Sequence, residues 1–315
     1  MSKKTLLSGV KPTGKPHIGN YFGAMKQFVD LQAEYESYFM IADYHALNFI
    51  QNGEEMRALT HELVLDYLGI GIDPRKAVIF KQSAILEHTE LAWIFETLTT
   101  MPYLMRAHAF KDAEAKNSEI SVGTFNYPML MAADILLYDV DVVPVGQDQK
   151  QHIEFARDTA IKFNNAFGST FKLPDAHIME SVATVPGTDG QKMSKSYKNT
   201  IPLFGSREEI QKAVMGIVTD SSGGRPEHVY KIHELFRTAE QLETLYTENE
   251  GSYKALKEAL ADDIDAFVTP MRERRANYAN DPSRIAQIIT DGNDRARTAT
   301  AKKMKVVREK IGVTT

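Results

Sequence analysis

An α/β layered domain followed by an all-helical segment is the fold class predicted by this chain of 315 residues. Three observations carry it. Short apolar runs rich in β-branched or aromatic residues occur at SYFMIA (37–42), KAVIF (76–80) and DVVPV (141–145). Amphipathic helical patterns lie between them, and that alternation implies parallel strands joined by right-handed crossovers. After about residue 200 the strand-like runs stop and helical patterns continue to the end.

The elements follow in order. TLL (5–7) reads as a first strand, and the glycine-rich stretch SGVKPTGKPHIGN (8–20) follows it. Ligands of parallel sheets bind beyond the carboxyl ends of the strands, so this stretch is expected at that edge. In NYFGAMKQFVDLQAEY, Tyr21, Ala24, Phe28, Leu31 and Tyr35 recur at three- and four-residue steps and predict one buried face. Met56, Leu59, Leu63 and Tyr67 do the same in the next helix, which Gly69, Gly71 and Pro74 close. Ile153, Ala156, Ala160, Phe163 and Phe167 mark a third. Ser206 with Glu209 forms a capping-box pattern that opens the helical segment. SSGGRPE (221–227) and NEGS (249–252) read as loops. The tail from Arg295 carries seven basic residues against one acidic, with Met304, Val307 and Ile311 on an apolar stripe.

Composition narrows the chemistry. The chain has no cysteine, which removes disulfides, thiolate nucleophiles, iron–sulfur clusters and cysteine-ligated zinc. MSKKTLL has no signal-peptide core. The most apolar run, YPMLMAADILLY, is broken by Asp134 and is too short for a bilayer. A cytoplasmic protein without membrane partners is expected. The net charge of −5 argues against a general nucleic-acid coat but leaves room for a local basic face.

Two polar stretches point to phosphate chemistry. GVKPTGK fits a P-loop up to Lys15, but Pro16 stands where a magnesium-binding hydroxyl belongs, and Pro12 removes a backbone N–H. The other reading takes His17, Ile18, Gly19 and Asn20 as one unit. Gly19 lets an adenine ring approach the backbone, the helix start faces phosphate, and His17 and Asn20 donate to phosphoryl oxygens. A tight turn whose histidine merely caps a helix is the plainer reading. PGTDGQKMSKSYKNT (186–200) holds Lys192, Lys195 and Lys198 in a loop that could close on a triphosphate. A solvated surface loop is the plainer reading there. Asp134, inside MLMAADILL, needs a partner. An internal lysine, an arginine, a helix end or a donor-only ligand group would serve.

HIGN (17–20) is a variant of the HIGH signature and KMSKS (192–196) is complete. With GQDQ (146–149) and YPMLMAADILLY (127–138), these motifs make the chain resemble the class I aminoacyl-tRNA synthetases, most closely the tryptophanyl branch, over nearly its whole length. The resemblance implies a Rossmann-like catalytic domain over 1–200 and a helical anticodon-binding domain over 201–315. It implies ATP, with its Mg2+, between the two motifs, with no dedicated protein metal site. Lys11, Pro12, Thr13, Gly19 and Asn20 would contact ATP from one side, and Lys192, Met193, Ser194, Lys195 and Ser196 from the other. Gly146, Gln147 and Asp148 would hold the ribose, and Val185 the adenine. His17, Asn20, Lys192 and Lys195 would carry catalysis.

The tryptophan pocket would comprise Asp134, Met131, Tyr127, Gln149 and His45, with the indole N–H on Asp134. Smaller competitors are expected to leave Asp134 unpaired. Partners implied are L-tryptophan, ATP, tRNA(Trp) and a second copy of the chain, with residues 99–110 at the dimer interface. Two departures stand out: Lys11 replaces the family's common glutamine, and Asn20 replaces the last histidine of HIGH. Tyrosine activation, nucleotidyl transfer to a small cofactor precursor, and non-catalytic nucleotide or RNA binding are the rival readings.

Overall fold

The computed structural model describes residues 3–115, 119–145, 150–178, 185–219 and 224–313. One sheet contains β1 (Thr5–Val10), β2 (Glu36–Ile41), β3 (Ala77–Lys81), β4 (Val142–Val145) and β5 (Asp175–Ile178). All neighbours are parallel and the order is β3-β2-β1-β4-β5. The four strands expected from sequence are present, and β5 (DAHI) is an addition. The first strand also runs further than TLL, so Gly9 lies inside it. A Cβ there would meet Met40 Cε of β2 at 3.2 Å.

The crossover from β1 to β2 is α1 (Ile18–Asn20), a π-helical turn (Tyr21–Met25) and α2 (Lys26–Leu31). That turn corrects the predicted face. A π turn takes an extra residue, so Met25 is buried while Ala24 is turned out. Between β2 and β3 lie α3 (Asp43–Ala46) and α4 (Gly53–Ile70). Asn52 caps the latter by accepting the Glu54 and Glu55 N–H groups, and Gly71 ends it in the left-handed region at φ 109°. Between β3 and β4 come α5 (Glu87–Thr97), α6 (Met101–Leu104), α7 (His108–Ala115) and α8 (Val122–Leu136), and α9 (Lys150–Phe167) leads to β5.

The remainder is helical: α10 (Arg207–Met215), α11 (Glu227–His233), α12 (Ala239–Glu248), α13 (Tyr253–Ala279) and α14 (Pro282–Ile311). Ser206 and Glu209 form the expected capping box. No helix among the described residues is long and apolar enough to cross a membrane.

Strand alternation splits the core in two. Leu6, Phe39 and Ile79 face a cluster completed by Tyr67 of α4, Ile210 of α10 and Ile264 of α13. Leu7, Met40 and Phe80 face the other, completed by α5, α8, α9 and by Ala296, Met304 and Val307 of α14. The helical segment thus shares both cores with the sheet. Helix α14 lies so close to β3 that a Cβ on Gly292 would sit 1.8 Å from the Ile79 carbonyl oxygen. Its Asn293 Oδ1 accepts the Lys81 backbone N–H at 3.0 Å.

Candidate active site

The strand order switches sides between β1 and β4, the place where parallel sheets open a crevice at their carboxyl ends. A cavity of about 410 Å3 occupies it. Leu7 to Lys11 and Thr13 line one wall, Val143 and Pro144 another, and Tyr127, Met131 and Asp134 of α8 a third. His45, Ala24 and Phe28 complete it. Ala24 is therefore turned toward the cavity by the π turn.

The glycine-rich stretch and the lysine loop meet beside this cavity. His17 caps α1 reciprocally: its Nδ1 accepts the Asn20 N–H at 3.2 Å, and Asn20 Oδ1 accepts the His17 N–H at 3.1 Å. These bonds leave the His17 proton on Nε2 and turn the Asn20 amide N–H2 outward. Burial, with the nearby Lys195 ammonium, pushes the His17 pKa down to about 4, so the ring is neutral at pH 7. Gly19 is pinched, since a Cβ there would lie 2.9 Å from His17 Nδ1 and 3.2 Å from Met193 Cβ. Ile18 N–H donates to the Ile201 carbonyl and Leu203 N–H to the Pro16 carbonyl. This short antiparallel pairing ties the chain after the lysine loop to the turn.

Lys195 reaches the same turn, its Nζ donating to the Thr13 and Gly14 carbonyls. Burial lowers its pKa, and Asp66 pulls the other way. Lys192 and Ser196 are exposed, and Met193 is buried. Met193 N–H donates to the Val185 carbonyl. Asn199, buried, clasps the loop: its Oδ1 accepts the Ser194 N–H, and its Nδ2 donates to Asp189 and to the Lys192 carbonyl. Pro12 is buried, and Lys11 extends its ammonium 4.6 Å over the Phe49 ring, burial lowering its pKa. Gly146, Gln147, Asp148 and Gln149 lie outside the described residues.

Asp134 is buried, yet its partner is none of the protein groups expected. Oδ1 accepts from His88 Nδ1 at 2.6 Å and from Gln82 Nε2 at 2.8 Å. Oδ2 accepts from His45 Nε2 at 2.8 Å and from Gln82 Nε2 at 3.0 Å. Burial pushes the carboxyl up, but the hydrogen bonds from His45 and His88 outweigh it and hold Asp134 well below the usual carboxylate range. The expectation that a smaller amino acid leaves Asp134 unpaired is therefore corrected: three protein donors already serve it. Tyr127 Oη lies 2.7 Å from His152 Nε2.

Gln82, His88 and Asn199 went unread in the sequence. A signal existed for the second. His88 shares its helical stripe with Leu91, Ala92 and Phe95, all buried, and a histidine on an apolar stripe needs a polar partner.

Residues 2–279 match the family described as tRNA synthetases class I (W and Y). The chain belongs to that family. It is 44% identical to a tryptophan–tRNA ligase of Fusobacterium nucleatum, covering 98% of each chain. It is likewise 44% identical to one of Rhodopirellula baltica, covering 98% of this chain and 99% of that protein. Among solved structures, it superposes with TM-score 0.92 on a tryptophanyl-tRNA synthetase of Campylobacter jejuni complexed with ADP and tryptophan. That chain is 42% identical, and the match covers 98% of this chain and 99% of the other. The membership makes the chain a ligase.

Proposed function

We propose that this synthetase activates L-tryptophan with ATP, releasing pyrophosphate, and transfers the tryptophanyl group to the 3′ end of tRNA(Trp). One observation carries the reading furthest. A single cavity runs from Asp134 and Tyr127, suited to an indole and an α-amino group, to Lys11 and Thr13 on the glycine-rich stretch. An amino-acid carboxylate lying in it would point toward the His17–Asn20 turn. The carboxylate oxygen attacks the α-phosphorus of ATP, the bond to the β-phosphate breaks, and pyrophosphate leaves. The tRNA ribose hydroxyl then attacks the adenylate carbonyl and AMP departs.

No side chain need form a covalent bond; positioning and charge stabilisation supply the rate. Neutral His17 donates through Nε2–H and Asn20 through its amide. Lys192 and Lys195 draw toward the leaving pyrophosphate, leaving their present carbonyl and solvent partners. ATP enters with Mg2+ as its substrate counterion. Ser194, Ser196, Met193, Val185 and residues 146–148 complete the nucleotide side of this reading, and Met131, His45 and Gln149 the amino-acid side.

Residues 201–315 form the anticodon-binding part in this proposal, with the basic tail on α14 facing nucleic acid. The enzyme acts as a homodimer in the cytoplasm. Leu86, Trp93, Met101 and Met105 are large apolar side chains left exposed on α5, α6 and their flanks, which supports an interface around residues 99–110. Pyrophosphate exchange with single amino acids tests the reaction: tryptophan should drive it, and stimulation by tyrosine instead would refute the substrate. Sedimentation of Trp93→Asp tests the dimer, which should dissociate; an unchanged species would remove α5 from the interface.

A further inference from the structure

Asp134 is the one carboxylate in the cavity wall among the described residues, and its hydrogen bonds divide by side. His45 lines the cavity, whereas Gln82 and His88 do not. Both of the latter are fully buried. Each carboxylate oxygen has two in-plane acceptor sites. On Oδ1 both are taken, by His88 Nδ1 and Gln82 Nε2. On Oδ2 one is taken by His45, while the Gln82 amide spans to the second only as the longer limb of a shared bond. The most weakly held acceptor site of Asp134, the one that shares the Gln82 amide, therefore sits on Oδ2.

What holds Oδ1 in place is itself held. Gln82 Oε1 accepts the His45 backbone N–H, which turns its Nε2 toward Asp134. His88 Nε2 lies 2.9 Å from the Tyr138 hydroxyl. Asp134 only accepts, so His88 carries its proton on Nδ1, and the Tyr138 O–H satisfies Nε2. The Tyr138 ring is wedged against Tyr38, Phe80 and His88 itself, with centroids 5.0, 5.5 and 5.6 Å apart. Burial raises the Tyr138 pKa well above its ordinary value, so the hydroxyl keeps its proton. Two side chains 50 residues apart thus form a brace behind the pocket.

We propose that His88, braced by Tyr138, is the positioning residue that fixes the rotation of Asp134 and presents its weakly held Oδ2 acceptor site to an indole N–H. It is a determinant of amino-acid specificity acting through Asp134, without touching the substrate. This inference rests on the proposed tryptophan reading of the same cavity. Its physical basis is that a single weakly held acceptor site, fixed in direction, rewards a ligand with one donor at one place. A carboxylate free to rotate would spread its acceptor sites and reward the N–H less.

The test measures kcat/KM in amino-acid-dependent pyrophosphate exchange for L-tryptophan and for 3-benzothienyl-L-alanine, which replaces the indole N–H by sulfur at nearly equal shape. His88→Leu should lower the tryptophan-to-analogue ratio by about tenfold with the KM for ATP unchanged, the scale of one well-placed hydrogen bond. His88→Asn, which keeps an N–H near the Nδ1 position, should recover most of the ratio. An equal loss for both amino acids, or an unaltered ratio, would overturn the inference. Should His88→Leu fail to fold, Tyr138→Phe carries the test: a reduced ratio supports the brace, and the wild-type ratio overturns it. Failure of tryptophan to drive exchange in the wild-type protein would instead sink the proposed function, so the two failures are separable.

Discussion

The Lys195 ammonium lies 2.8 Å from the Gly14 carbonyl oxygen, joining two segments 181 residues apart in sequence. Gly14 adopts a positive φ of 100°, which lets its carbonyl face the loop without a side chain in the way. The lysine is docked on neutral oxygens at the rim of the cavity. In the proposed reaction a developing pyrophosphate charge would draw it away from these two carbonyls.

Lys195→Ala should therefore slow adenylate formation on the order of 100-fold or more, with little change in the KM for tryptophan. Single-turnover kinetics with saturating ATP check this. An undiminished rate would leave the loop without a catalytic part.

His17 gives a pH dependence of definite sign. Its folded pKa, about 4, is below the ordinary value of 6.5, so the fold favours the neutral ring. Its contribution to stability is complete above about 6.5 and is lost as pH falls toward 4, up to about 3 kcal/mol. Comparing urea unfolding of wild type and His17→Gln between pH 7 and pH 4 isolates it: the glutamine variant should lose less stability on acidification. Equal losses would contradict the assignment.

Asp134→Ala strands three buried donors, on His45, His88 and Gln82. A loss of about 3–5 kcal/mol of stability is expected, read from urea unfolding. The folded fraction should still bind ATP while losing its preference for tryptophan over phenylalanine. An unchanged preference would remove Asp134 from the site.

Gly292→Ala drives a methyl into the Ile79 carbonyl, against backbone that cannot rotate away. A cost of about 1–3 kcal/mol or more follows from such overpacking, visible as a lowered Tm. Ala296→Gly, four residues on, should be milder, because it creates space rather than a clash.

The sheet and most helices were legible because each is local. KAVIF and SYFMIA announce themselves by β-branched and aromatic content, and Ser206 with Glu209 marks a helix start within four residues. β5 was not, because DAHI is short, polar at two of four positions, and a strand mainly by virtue of pairing with β4. The π turn at 21–25 escaped because a 3.6-residue period assumes no inserted residue. Within the candidate site, HIGN and KMSKS could be recognised as stretches, and Asp134 stood out as a charge in an apolar run. Its partners come from positions 46, 52 and 89 residues away. Only the folded chain brings them together, so no spacing rule could name them.

Strand β3 is an outer strand of the sheet, and the side chain of Asn293 covers the Lys81 amide there. During synthesis that cover arrives more than two hundred residues after the strand it protects. Until then the nascent sheet carries a bare border on which another extended chain can dock. Translation that stalls before residue 282 thus leaves both HIGN and KMSKS made, in a body still open to misassociation.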